Sequence, residues 1–512
     1  NSVEEITLEK NAMQRSDLAV NQSFEIRLTN YNDLLITGAK TTIGKDDETT
    51  LSLVCENGDI RLGDLSGEIN YHIPSLTEDA LQLLPLQLPE DMPLTALQLQ
   101  TKGRIRFQSL KSKTNQLTAL GRIRIPTLHL TAPAAPQIPA LQGDIVYFVG
   151  LENKEKIQIQ KLNIELSRTE NTAGTEGAEL ACSLSGSAVL KPLVVDADLS
   201  VDIPSPELLN LVAATAGNWN LGAPAASVDT HVRFGPGPLL KAEGDMRIKN
   251  VQPQKPGTSL PKPDALDLAL RYGIDLDLSG QTLAVRQLDG EIATPERTVA
   301  ELRLQRAVSM ALAAEQQQQQ QDKQSAAKLT IDIDRLDLAP WAAMAQTTAA
   351  ENALRLQQGQ LTADIEAVIR SLGTDITADG KVSITDAQLS LEETPGKPLS
   401  YDQTFTVALR DFEHLDIPTA TSTVSRNEQP VFVLDCKDTR ININNLSGQT
   451  AYSIPVLNSG LFEVLPPPVK QQLPLEQLRA KADGDIRFKG LNAEKSRITA
   501  LGTLSVPVLK FR

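Results

Sequence analysis

Apolar and polar residues alternate along most of the chain. The segments KIQIQKLNIEL (156–166) and KLTIDIDRLDL (328–338) carry an apolar residue at every second position over much of their length. A period of two places the apolar side chains of a strand on one face. Clusters of Gly, Asn, Asp and Pro between such segments are typical of turns. The pattern therefore predicts a mainly β fold, in which antiparallel strands have one apolar and one polar face.

A second pattern starts at a glycine and places apolar residues two, four, seven and often nine positions later. In GRIRIPTLHL (121–130), the step from Ile125 to Leu128 would move Leu128 to the opposite face of the strand. One extra residue restores the face, and such an insertion is a β-bulge, which also bends and twists the strand. Pro126 fits this position because bulges tolerate a residue without a backbone N–H. Further copies predict an elongated, twisted antiparallel repeat sheet curled into a groove, and these copies begin at Gly244, Gly380 and Gly502.

The chain also contains a long internal duplication. LTALGRIRIPTLHL (117–130) matches ITALGTLSVPVLKF (498–511) at an offset of 381 residues, which is 498 minus 117. At this offset the match runs without gaps over residues 1–131 and 382–512. Together with the weaker glycine pattern, the duplication predicts four β-groove repeat units. Their bounds are 1–131, 132–252, 253–381 (with a Gln-rich loop at 315–326) and 382–512, the last of which duplicates the first.

Short helices are predicted to interrupt the strands. Ser75 and Glu78 have the spacing of a capping box, and Pro206 suits the first turn of a helix. Each predicted helix has an apolar side that would pack against the apolar face of the sheet. The predicted helices are 73–85, 203–217, 336–346 and 454–466.

Composition narrows the range of partners. The formal net charge is −15, which disfavours nucleic acid as a partner because phosphate binding depends on clustered Lys and Arg. Aromatic residues make up only 4% of the chain, so its apolar surface is mainly aliphatic. The chain begins at Asn1 and contains no run of about 18 apolar residues. We expect it to be a piece of a longer protein, in which segments outside this chain make any membrane contact.

The sequence contains no recognisable catalytic or metal-binding motif. A nucleophile elbow, a P-loop and a dinucleotide fingerprint are all absent. Carboxylates recur at alternate positions, as in Asp332 with Asp334 or Asp196 with Asp198 and Asp202. This spacing is typical of the polar face of a strand, although a polysaccharide-cleaving β-solenoid could use it for acid–base chemistry. We therefore expect no enzyme activity, catalytic residue, metal or cofactor. The histidines and cysteines also lack metal-ligand spacing, and they are His72, His129, His231, His414, Cys55, Cys182 and Cys436.

The predicted strands carry more one-sided apolar surface than a few short helices could cover. Continuous exposed apolar surface marks a site for a ligand or partner, and aliphatic side chains bind hydrocarbon without directional bonds. We predict a collective lipid groove built from the apolar positions of the glycine-led strands. Its residues are Ile105, Phe107, Ile123, Ile125, Leu128, Leu130, Met246, Ile248, Val251, Val382, Ile384, Leu389, Ile486, Phe488, Leu504, Val506, Leu509 and Phe511.

LTIDIDRLDLAPWA (329–342), with its Ile/Leu–Asp alternation before a short helix, resembles the AsmA-like family of bacterial envelope proteins. DGKVSITDAQLSL (379–391), GDMRIKNVQ (244–252) and LSGQTLAVRQLDGEI (278–292) are similar to the repeating strand phrases of that family. The resemblance implies a periplasmic protein whose inner-membrane anchor lies outside this chain. It also implies a repeating β-groove that conducts phospholipid, or another acyl lipid, between the inner and outer membranes in outer-membrane biogenesis.

Two other functions stay open at this level. A structural or scaffold β-repeat protein of the envelope or surface would pack its apolar faces against each other. A β-solenoid carbohydrate-active enzyme is less favoured, because the repeat is far longer than one solenoid coil.

Overall fold

The structure is a computed structural model of the full chain, and strands account for 81% of the residues that it describes and helices for 4%. The prediction of a mainly β fold of antiparallel strands with short interrupting helices is therefore confirmed. The described residues are 3–10, 14–29, 31–45, 48–77, 94–130, 140–169, 178–217, 220–254, 264–311, 326–339, 341–342, 355–370, 375–391, 394–463, 475–490 and 496–511.

The chain divides into two compact units, Asn1–Ile248 and Lys249–Arg512, here called unit 1 and unit 2. In unit 1, each strand from β1 to β11 pairs antiparallel with the next strand along the chain. Short-range antiparallel pairing follows from the turn residues between consecutive strands. These strands are β1 (Val3–Lys10), β2 (Gln14–Thr29), β3 (Asp33–Lys45), β4 (Glu48–Arg61), β5 (Ser66–Thr77), β6 (Leu94–Gln108), β7 (Gln116–Leu130), β8 (Leu141–Glu152), β9 (Lys156–Arg168), β10 (Leu180–Leu190), β11 (Leu193–Ile203) and β12 (Asn220–Phe234), and β13 (Leu239–Gln254) contains the division.

Unit 2 has the same antiparallel organisation with two short side strands. Its strands are β14 (Leu266–Asp277), β15 (Thr282–Ala293), β16 (Thr298–Arg306), β17 (Val308–Ala311), β18 (Ala327–Asp337), β19 (Arg355–Arg370), β20 (Asp375–Leu391), β21 (Thr394–Pro395), β22 (Leu399–Arg410), β23 (His414–Arg426), β24 (Gln429–Asn442), β25 (Ser447–Asn458), β26 (Leu475–Lys489) and β27 (Arg497–Phe511). Strand β15 pairs with both β16 and β17, and β16 continues the sheet to β18. Strand β20 pairs with both β21 and β22, and consecutive pairing then continues to β27.

The sequence duplication reappears as a duplication of structure. Strands β3 to β7 and strands β23 to β27 have the same bounds after the shift of 381 residues, for example Asp33–Lys45 against His414–Arg426. The two copies lie in different units. The four-unit division of the sequence describes its repeat period and stays a prediction.

The bulges predicted for β7 and β20 are present. Pro126 and Thr127 together face Gln142, because Ile125 pairs with Gly143 and Leu128 with Leu141. Thr385 and Asp386 likewise face a single residue of β22, and Asp386 has a φ of 52°. The extra residue keeps the apolar positions before and after each bulge on one face, as the spacing requires.

The helix predictions had mixed outcomes. Helix α1 (Pro206–Gly217) matches the second prediction, and α2 (Gly460–Glu463) covers only part of the fourth. The prediction for 73–85 is wrong over residues 73–77, which belong to β5, and residues 78–85 lie outside the described part. Ser75 sits in a bulge of β5 opposite Gln100, so cross-strand pairing prevails over the local capping signal. In the predicted helix 336–346, Ala339, Trp341 and Ala342 are helical, and residues 340 and 343–346 lie outside the described residues. Residues 312–325, which include all but the last residue of the Gln-rich loop, also lie outside them.

Candidate functional site: the apolar face of the sheet

In unit 1, apolar residues form continuous rows across the strands. Strand register joins Ile123 of β7 to Ile145 of β8, and Ile145 to Ile164 of β9. The same row continues through Cys182 and Val201 into β12. Another row on the same face consists of Phe107, Leu117, Leu151, Ile157, Ala188, Val195 and Phe234. We call the surface that carries these rows the apolar face of unit 1.

The residues of this face are half-buried. Ile123, Ile145 and Ile164 each have hydrogen-bonded strands on both sides, yet each keeps part of its surface accessible. Two sheets packed face to face interdigitate their inner side chains into a closed core. The partial exposure of this row therefore indicates that neighbouring strands of the same sheet shield these side chains from the sides. It also indicates that no second sheet closes over them in the described part of the chain.

The predicted groove residues of unit 1 share this face. Ile105 and Ile123 are half-buried, and Leu128 returns to the same face after the bulge. Phe107 and Ile125 are more deeply buried, with 8% and 7% of their surface exposed. Leu130 pairs with Leu94 through its backbone. The five of these positions other than Leu130 come together as one stripe.

Two tyrosines cross the middle of the apolar face. Tyr71 of β5 and Tyr147 of β8 flank Gly103 and Gly121 in register, and their hydroxyl groups hydrogen-bond to each other. The rings lie above the two glycines, where an added Cβ would approach a tyrosine hydroxyl at 2.8 Å on Gly103 and 2.5 Å on Gly121. Burial, followed by the bond with Tyr71, raises the pKa of Tyr147 well above its ordinary value. The pair forms a polar bridge within an aliphatic surface. No pattern in the sequence predicted that these two tyrosines would meet.

The opposite face of unit 1 is polar. Arg106 forms an ion pair with Glu68 at 2.9 Å, and Arg122 forms one with Asp144 at 2.5 Å. Both arginines are exposed, as their alternation with the apolar positions predicts. The two faces of the sheet in unit 1 therefore differ sharply in polarity, with the charges on one side and the apolar rows on the other.

Helix α1 is held at the end of β11 and β12 by polar contacts. The Asn210 side chain accepts from the backbone N–H of Leu221 at 2.6 Å and donates to the carbonyl of Gly222 at 3.0 Å. Arg168 of β9 bridges Glu207 at 2.8 Å and Glu179 at 2.7 Å. The helix therefore has a defined position at one edge of the apolar face of unit 1.

Unit 2 carries an equivalent surface, which we call the apolar face of unit 2. Val382 and Ile384 of β20 are half-buried there, as are Ile486 and Phe488 of β26 and Leu389 beyond the β20 bulge. One register row crosses the unit through Leu270, Gly290, Leu302, Ile331, Ile365, Gly380, Phe405, Ala420, Cys436, Tyr452 and Gly484.

The predicted residues of β27 are far more exposed than their counterparts. Leu504, Val506 and Leu509 have 67%, 41% and 49% of their surface exposed. Strand β27 pairs with β26 on one side, and in the described part of the chain no strand pairs on its other side, whereas β7 has β6 and β8. Phe511 has its backbone in β27. The remaining predicted residues lie on β13, where Met246 and Ile248 are half-buried and Val251 is buried.

All three cysteines lie in the rows of the apolar faces and are free. Cys55 pairs in register with Tyr71, Cys182 with Ile164, and Cys436 with Tyr452. Burial raises the pKa of the Cys55 thiol. The cysteines therefore offer native labels for the proposed ligand surface.

One acid–base cluster lies on the polar face of unit 1. The carboxylate of Asp198 lies 2.7 Å from Nδ1 of His231, and Asp196 accepts from Arg233 at 3.2 Å. Nε2 of His231 lies 3.2 Å from the guanidinium of Arg233 on the same strand, so both ring nitrogens have polar partners. The spacing of Asp196 and Asp198 predicts that they share one face of a strand. It does not predict that His231 of the neighbouring strand lies beside them. Within the described residues, no group of three or more His, Cys, Asp or Glu side chains could hold a metal ion.

Comparison with protein-family models, with curated proteins and with solved structures finds no match to this chain. In the part that the structure describes, no helix is long and apolar enough to cross a membrane.

Proposed function

We propose that this chain binds phospholipid or another acyl lipid along the apolar faces of its β-sheet and conducts it between the inner and outer membranes of a bacterial envelope. The working residues act together through apolar area. The chain has no catalytic role in this proposal, and it needs no metal or cofactor.

The observation that carries the proposal is the half-burial of the aliphatic rows. Ile123, Ile145 and Ile164 form a continuous strip that the sheet itself leaves accessible. Keeping such a strip in water is unfavourable by roughly 25 cal/mol for each Å² of apolar surface. A hydrocarbon chain laid along the strip removes that surface from water, with a gain of about 0.8 kcal/mol for each buried CH₂ group.

The chemistry of the strip favours an acyl chain over a directional ligand. Its core positions, Ile123, Ile145 and Ile164, are aliphatic and provide dispersion contacts but no hydrogen bonds. The charged groups of unit 1, such as Arg106 and Arg122, point to the opposite face and are paired there. The periplasmic location and the inner-membrane anchor outside this chain rest on the resemblance to the AsmA-like family.

A scaffold whose apolar faces pack against each other is the main alternative. Such packing would bury the inner side chains almost completely. The half-burial of the strip weighs against it.

The test compares two adjacent residues on opposite faces of β8. Ile145→Glu places a charge on the apolar strip between Ile123 and Ile164, and Val146→Glu places the same charge on the polar face beside Arg122. Phospholipid that copurifies with the chain is quantified by mass spectrometry. We expect Ile145→Glu to reduce bound lipid about tenfold, because an acyl chain would have to desolvate the carboxylate, and Val146→Glu to retain it.

Circular dichroism and thermal unfolding establish that both variants are folded. If the folded parent chain carries no phospholipid, or if the two variants retain equal amounts, the proposal is wrong.

A further inference from the structure

The polar face of unit 2 contains a shallow cleft of about 690 Å³ at one end of strands β22 to β26. Register places Asp416, Arg440, Gln449 and Arg487 side by side across four strands. The side chains used below, Arg410, Asp416, Arg440, Gln449 and Arg487, all line the cleft, and His414, Ile441, Asn442, Ser447 and Gly448 complete it.

Positive charge is left without a counter-charge in this cleft. Arg410 contacts Asp416, with 3.8 Å between Nη2 and Oδ2. Arg440 and Arg487 are exposed, and among the described residues neither forms an ion pair. Two guanidinium groups thus flank the neutral amide of Gln449, in a chain whose formal net charge is −15.

The duplicated copy in unit 1 provides an internal comparison. At the offset of 381 residues, Arg487 corresponds to Arg106 and Gln449 to Glu68. Glu68 accepts from Arg106 at 2.9 Å and forms an ion pair with Arg104 at 3.0 Å. Arg440 corresponds to Asp59. At these two positions the first copy therefore has carboxylates, Glu68 and Asp59, whereas the second copy has the Gln449 amide and the Arg440 guanidinium.

We propose that the cleft of unit 2 binds a phosphate monoester. Planar guanidinium groups donate paired hydrogen bonds that match phosphate oxygens. A phosphate monoester carries about −1.5 to −2 charge at neutral pH, which matches the two arginines that Asp416 does not neutralise. The Gln449 amide supplies a neutral donor between them. The ligand is either a soluble phosphate or the headgroup of a lipid.

Two assays separate these sources. The purified chain is titrated with inorganic phosphate by calorimetry, and it is floated with phosphatidylcholine vesicles that either contain or lack phosphatidic acid. We expect saturable phosphate binding, or flotation that depends on phosphatidic acid, in the parent chain. Arg487→Gln and Gln449→Glu should each weaken it about tenfold or more, because the first removes a charge-assisted donor and the second introduces the competing carboxylate of the first copy.

Arg106→Gln is the matched control, since it changes the equivalent arginine of the first copy, and it should leave binding unchanged. All three positions are charged or polar surface sites, and thermal unfolding checks that each variant is folded. Binding in solution alone identifies a soluble phosphate, and vesicle flotation alone identifies a lipid headgroup. The proposal is overturned if the parent chain binds neither probe, or if Arg487→Gln and Arg106→Gln weaken binding equally.

Discussion

At the scale of single residues, the glycine that starts the strand phrase of β7 has a packing role. Gly121 lies beneath the ring of Tyr147, and an added Cβ would come within 2.7 Å of the carbonyl oxygen of Lys102 on the neighbouring strand. Its φ lies outside the positive range, so the requirement is for space and not for a special backbone conformation. The glycine pair of β6 and β7 thereby makes room for the tyrosine bridge.

Gly121→Ala should destabilise the chain by about 1–3 kcal/mol, because the backbone of β6 and the tyrosine ring must both shift. Gly38→Ala is the control, since nothing lies within 4 Å of its added Cβ, and it should change stability by less than about 0.5 kcal/mol. Urea denaturation measures both. If Gly121→Ala and Gly38→Ala are equally stable, the structure accommodates the added Cβ at Gly121 without cost, and the prediction is wrong.

At the scale of the strand, the bulge determines which face each apolar side chain occupies. In β20 the bulge contains Asp386, a non-glycine residue with a φ of 52°. Asp tolerates this left-handed conformation better than most residues, whereas β-branched residues do not. The bulge lets Ile384 and Leu389 contribute to one apolar face despite their odd spacing.

Asp386→Val should destabilise the chain by about 1–2 kcal/mol, because a β-branched side chain clashes with the backbone at this φ. Asp386→Gly should stay within about 0.5 kcal/mol of the parent, since glycine adopts the conformation without strain but loses more backbone entropy on folding. Thermal unfolding of the two variants distinguishes them. If valine is tolerated as well as glycine, the bulge does not depend on this conformation.

At the scale of the whole molecule, each unit exposes an apolar face on one side and a charged face on the other. Soluble monomers rarely expose continuous apolar surface of this kind without a ligand or partner. A net charge far from zero favours solubility, and the apolar faces are the surfaces on which we propose that lipid binds. Within unit 2, the apolar face and the proposed phosphate cleft lie on opposite faces of the sheet.

Removal of lipid should increase the fluorescence of the apolar dye ANS bound to the folded chain, because ANS binds accessible apolar surface. Reloading with phospholipid should reverse the increase, while circular dichroism stays constant. Dye binding that does not respond to lipid would indicate that the apolar faces are covered by protein.

The amino-acid sequence by itself determined the local properties of this protein. Amphipathic strands follow from the period of two and from the turn residues between strands. The bulges at Pro126 and Asp386 follow from the apolar step of three, and the matching strand bounds follow from the duplication. These features depend on residues close together in the chain. Only the tertiary structure decided the rest. Pairing of β5 with β6 made residues 73–77 a strand. Cross-strand register joined Tyr71 to Tyr147 and left Arg440 and Arg487 without an ion pair among the described residues. Such neighbours come from different strands, and their meeting depends on register across the sheet, which no local pattern records.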